Sequence, residues 1–352
     1  MRRIAVFLLC ALLGVVPCLG AELSVPGLDE LWQEAEGYGV EAGTDLDEGL
    51  SNLFSDGAAQ IGGLLRASLS TALKLMAVVL LCALAQGVQP QGEGLQPVTI
   101  AGALAITALT MTDMAAMIGL GLETLGRMSA FSDLLLPVVA VLTAATGGLT
   151  GAAVRQSATV LFSQLLLTAM DRLLIPLVYA YVAVSCAHAA VGNPGLERLA
   201  GLLKGAATAL LTGLLLAFVG YLTASGAIAG SVDAAAVKAA KLAISRAIPV
   251  VGGVLADASE SVLAGAGALR GTVGAAGLIV VLAICLGPFL RLALQYLVYK
   301  GTGALCAAVA QPRLSKLIDA IGGAFGLVLG MTGAGALILL MSLVSAMTAV
   351  TA

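Results

Sequence analysis

GGAFGLVLGMTGAGALILLMSLVSAMTAV, residues 322–350, carries no charged side chain from end to end. A helix rises about 1.5 Å per residue, and about 20 apolar residues cross the hydrocarbon of a bilayer, so this stretch is long enough to span one. Glycine recurs at Gly322, Gly326 and Gly330. That four-residue ladder removes side chains from one stripe and lets another helix approach closely, from this chain or from a second copy.

Working outward, runs of the same kind fall at 68–88, 97–120, 132–153, 157–191, 203–229 and 272–298. The expectation is an all-α, polytopic integral membrane protein with about seven crossings, within a range of six to eight. The run 157–191 is long for one crossing, and Asp171 and Arg172 at its centre predict a break or a tilt. Composition agrees. The mean hydropathy is +1.05, with 60% apolar and only 11% charged residues, whereas a soluble domain needs about 25% charged residues to face water. With 44 glycines and only 4% aromatics, the chain suits close helix packing in lipid. The apolar runs are continuous rather than alternating, which argues against a β-barrel.

Ahead of the membrane domain, 67–352, lie two segments of different character. Residues 1–21 have Arg2 and Arg3, an apolar core and a small-residue exit, and read as a secretory signal peptide. Residues 22–66 form an acidic segment: ten of the twenty acidic residues lie between Glu22 and Asp56, with no Lys or Arg before Arg66. Because basic residues are retained on the cytoplasmic side, this segment is expected to be extracytoplasmic. The leucine spacing after Asp45 predicts an amphipathic helix leading into the first span.

Residues 232–246, VDAAAVKAAKLAISR, place Lys238, Lys241 and Ser245 on one side of a helix. A basic face on an apolar body fits an in-plane helix on an anionic leaflet, or a partner-binding helix. The segment 248–269 follows, with Asp257 and Glu260 on one face, and reads as re-entrant or cavity-lining. Charges at membrane depth are costly and mark polar pathways or partner contacts when they are buried. The candidates are Asp113, Asp171, Arg172, Lys238, Lys241, Asp257 and Glu260; Lys74 and Arg291 also sit within apolar runs, where helix-end residues snorkel.

Enzymatic chemistry finds no footing. The single histidine, His188, has no carboxylate close in sequence, and reads as a packed helix residue. The six cysteines show no CxxC spacing and read as small packed hydrophobes. Neither a Walker A nor a Rossmann glycine pattern occurs. No enzyme, cofactor or metal is expected, and a net charge of −3 gives no support to nucleic-acid binding.

The order LLLPVVAVLTAATGG (134–148), VDAAAVKAAKLAISRAIPVVGGVLADASESV (232–262), LRGTVGAAGLIVV (269–281), PFLR (288–291) and YLVYK (296–300) resembles the stage III sporulation protein AE family of endospore-forming Firmicutes. The resemblance implies a multi-pass protein of the mother-cell membrane around the forespore. It further implies a component of a transenvelope, secretion-like channel complex that supports late forespore gene expression. Its partners would be the other stage III sporulation proteins of the same operon, including a separate ATPase. A different class remains open on the residues alone: a self-contained secondary transporter using the intramembrane acids.

Overall fold

The structure, a computed structural model, describes residues 46–87, 97–145, 161–224, 272–309 and 312–351, with Gln33 and Glu36 besides. The signal segment, residues 22–45 of the acidic segment other than Gln33 and Glu36, the predicted basic helix at 232–246 and the Asp257–Glu260 stretch lie outside the described residues.

Six helices and no strand occur among the described residues. They are α1 (Leu46–Gly87), α2 (Pro97–Ala145), α3 (Leu161–Val191), α4 (Pro194–Ala224), α5 (Thr272–Ala307) and α6 (Pro312–Thr351). All six are long and apolar enough to cross a membrane. The amphipathic lead-in and the first span are one helix, α1. The run 97–120 and the described part of the run 132–153, read separately in the sequence, are likewise one helix, α2. Glu123 and Arg127, which lower the hydropathy between them, are an i,i+4 pair at 2.6 Å on the exposed face, an arrangement that a continuous helix favours.

Proline and glycine punctuate these elements. Pro97, Pro194 and Pro312 open α2, α4 and α6, positions where the missing N–H costs nothing. Gly192 ends α3 in the left-handed region (φ 73°), its N–H donating to His188 O at 2.7 Å. Asn193 then starts α4, its side-chain oxygen accepting from Gly195 N–H at 2.8 Å. Within α3, Met170–Leu174 form a π-helical turn at Asp171–Arg172, where a break or a tilt was expected, and the helix continues through it.

Neighbouring helices alternate in direction. At one end of the bundle, Gly102 of α2 lies against Cys82 of α1 and Leu314 of α6. At the other end, Ser163 of α3 and Ser342 of α6 share a hydrogen bond at 2.6 Å. So α2, α4 and α6 begin at the end where α1, α3 and α5 finish. The helix of the opening stretch, α6, is the axis of the bundle: 94% of its apolar span is buried, against 22–39% for the other five. It packs on α2, α3, α4 and α5, while α1 lies outside against α5 and α2.

Hydroxyls in this apolar interior are satisfied by their own helices. Thr110, Thr124, Thr332 and Ser342 each donate to the carbonyl four residues back, at 2.7–3.0 Å. Such back-bonding removes an otherwise costly polar group from lipid or core.

Candidate functional site

Two polar groupings interrupt the apolar bundle. The first is built on α5, where Gln295 and Tyr299 are one turn apart and share a face. Both are buried, and both reach Asp113 of α2. Tyr299 Oη donates to Asp113 Oδ2 at 2.9 Å, and Gln295 Nε2 donates to the same oxygen at 3.2 Å. The carbonyl oxygen of Gln295 accepts from Ser68 Oγ of α1 at 2.8 Å. Three helices are thereby tied, α5 to α2 through the half-buried Asp113 carboxylate and α5 to α1 through the Gln295 amide. No Lys, Arg or His pairs with Asp113 among the described residues, so the carboxylate is held by neutral donors alone.

The glycine ladder positions this group. A Cβ on Gly322 would lie 3.1 Å from Tyr299 Cβ and 3.3 Å from Lys300 N. A Cβ on Gly326 would lie 2.9 Å from the Tyr296 ring. Close approach of α6 to α5 seats the Tyr299 ring edge-on to Phe325, with centroids 4.9 Å apart. Gly330, the third rung, is buried in the same helix.

The second grouping lies at the end of the bundle where α4 and α6 begin. Lys316 donates to Glu197 Oε1 at 2.6 Å, and Lys300 donates to Asp319 at 2.6 Å. His188 Nδ1 lies 2.9 Å from Asn193 O. A carbonyl only accepts, so Nδ1 carries the hydrogen. Nε2 is then bare in the neutral ring, and its 3.8 Å separation from Glu197 Oε2 becomes an ion pair only when the ring is protonated. These groups border a cavity of about 160 Å³ lined by Tyr181, Ser185, His188, Glu197, Lys204 and Lys316 among others. His188 is therefore half-buried beside a carboxylate that follows nine residues later, rather than packed in an apolar face.

Of the sequence candidates, Asp113 alone joins a described network. Asp171 and Arg172 are exposed on the π turn and make no hydrogen bond or ion pair among the described residues. Lys238, Lys241, Asp257 and Glu260 lie outside the described residues. Sequence reasoning passed over Ser68, Gln295 and Tyr299, which are uncharged. The signal available for them was the polar pair Gln295 and Tyr299, four apart inside an apolar run.

Comparison with known proteins agrees with the resemblance read from the sequence. A chain of Bacillus subtilis (strain 168) named stage III sporulation protein AE is 26% identical over 190 residues. That alignment covers 54% of this chain and 47% of the relative, so the chain spans about half the length of the curated relative it matches. No solved structure matches. The sequence model described as stage III sporulation protein AE matches residues 47–351, the whole helical body from α1 to α6, and the chain belongs to that family.

Proposed function

We propose that this protein is the membrane-embedded component of the channel complex that links mother cell and forespore. In that role it sits in the mother-cell membrane around the forespore, has no catalytic activity of its own, and works with other stage III sporulation proteins, including a separate ATPase. The observation that carries the reading is the family match across all six helices, 47–351. A bundle whose axis is a nearly fully buried helix, crossed by a three-helix polar tie at Asp113, is consistent with a rigid embedded component. A self-contained transporter gains nothing from the geometry, since Asp113 turns toward α5 while Asp171 and Arg172 are exposed on α3.

Deletion of the gene in its native host, followed through sporulation with a late forespore reporter, tests the proposal. Arrest after engulfment with a silent reporter, restored by the wild-type gene, is the expected outcome. Normal spores would overturn the reading.

A further inference from the structure

The cavity at the start of α4 does not end at Lys204. Gly201 and Lys204 also line a second, open groove of about 650 Å³ that runs along α4 through Gly205, Thr208, Gly213 and Leu216. Gly201, Gly205 and Gly213 have nothing within 4 Å in the direction a Cβ would take, and all three are exposed. The polar cavity thus opens into an apolar trough on the outside of the bundle. From Gly201 to Leu216 a helix rises about 22 Å, more than the roughly 15 Å of hydrocarbon in one leaflet.

Charge at the junction is unbalanced. Glu197 is taken by Lys316, and Asp319 by Lys300. Lys204 is half-buried, its Nζ 3.4 Å from where a Gly323 Cβ would stand. Its ammonium makes no hydrogen bond or ion pair among the described residues. Ten residues into α4, it stands about 15 Å from the helix start. A half-buried ammonium that no carboxylate of its own chain engages within ion-pair distance suits an anionic partner.

We infer that this junction binds an anionic phospholipid. Its phosphate is held by Lys204, with the Lys316 ammonium and the Tyr181 hydroxyl lining the same cavity, and one acyl chain lies in the α4 trough. Basic pockets between membrane helices recognise anionic headgroups by this chemistry. The glycines serve the chain, because each absent Cβ deepens the trough where an acyl tail would run.

The test uses the full chain, purified in mild detergent and offered phosphatidylglycerol, phosphatidylcholine or inorganic phosphate. Lipid retention is read by native mass spectrometry, and stabilisation by thermal unfolding. Phosphatidylglycerol is expected to be retained over phosphatidylcholine. Lys204→Gln is expected to lower that retention about fivefold, the scale of one lysine near an anionic headgroup. Lys204→Arg keeps it, as does Lys74→Gln on the exposed face of α1. Gly205→Leu fills the trough and lowers phosphatidylglycerol retention without altering any response to phosphate. Equal retention of the two lipids, or no difference between Lys204→Gln and Lys74→Gln, overturns the inference. Stabilisation by phosphate matching that by the lipid, untouched by Gly205→Leu, assigns a free-anion site and also overturns it. So does a Gly205→Leu variant that separates two copies of the chain while lipid retention stays unchanged. None of these readouts depends on sporulation.

Discussion

Glycines that look alike in sequence differ sharply in what a methyl group would meet. At Gly322 the new Cβ presses on Tyr299 Cβ and on the backbone nitrogen of Lys300, neither of which can swing aside. At Gly326 it meets a ring edge of half-buried Tyr296, which can rotate. At Gly205 it meets nothing. Thermal unfolding in detergent should therefore rank the alanine variants: Gly322→Ala most destabilised, by about 1–3 kcal/mol as for an overpacked core, Gly326→Ala less, and Gly205→Ala unchanged. A second measurement concerns the tie at Asp113. Tyr299→Phe deletes one donor to the carboxylate while Gln295 remains, and interhelical hydrogen bonds in membranes average about 0.6 kcal/mol. A loss near that size is expected; a loss of several kcal/mol would mean that Asp113 depends on the hydroxyl in a way the two-donor geometry does not describe. The ladder was legible because glycine spacing is printed in the chain. Its unequal rungs were not, because they depend on which part of α5 lies opposite each one.

At the level of elements, charge inside an apolar run proved informative in two opposite ways. In α3, Asp171 and Arg172 mark a π turn, where one additional residue is accommodated without ending the helix. The residues before that turn make specific contacts: Phe162 stacks on Phe218 and Tyr221 of α4, and Ser163 bonds to Ser342 of α6. Deleting Leu173, an exposed residue of the turn, should restore a regular α-helix and keep residues 161–169 in register, because five π-helical residues turn through about the same angle as four α-helical ones. Those contacts should survive with little change in the thermal midpoint, whereas deleting exposed Leu165 from the regular helix before the turn should rotate Phe162 and Ser163 by about 100° and lower it. An equal loss in the two deletions would mean that the turn holds no additional residue. In α2 the charges Glu123 and Arg127 mark no interruption at all. Hydropathy separates two spans there, but an i,i+4 pair on an exposed face belongs to a helix, and at about 73 Å for its 49 residues α2 is far longer than the roughly 30 Å hydrocarbon. Its length, not a loop, accounts for the polar interval. The partners of Asp113 were hidden for a related reason: Gln295 and Tyr299 lie 182 and 186 residues from it, and no local pattern connects positions so distant.

Across the whole molecule, the apolar stretch that opened the reading turned out to be the innermost helix rather than one span among equals. Uniform hydropathy cannot distinguish a helix facing lipid from one surrounded by protein, because both are apolar all round. Only the contacts with α2, α3, α4 and α5 do so. The alternating directions have a further consequence for what the chain can connect. Among the described helices, α4 finishes and α5 starts at one end of the bundle, and the start of α1 and the finish of α6 lie at that same end. An enzyme reporter placed before Leu46 and another placed after Thr351 should give the same signal, and one inserted at the Gly192–Asn193 turn the opposite signal; disagreement between the first two would break the pairing of helix ends seen at Gly102 and Ser163. A molecule arranged in this way behaves as a tethered anchor: the first residues of α1, the facing ends of α4 and α5 and the last residues of α6 look out on a single audience, while the Gly192–Asn193 turn addresses the opposite one.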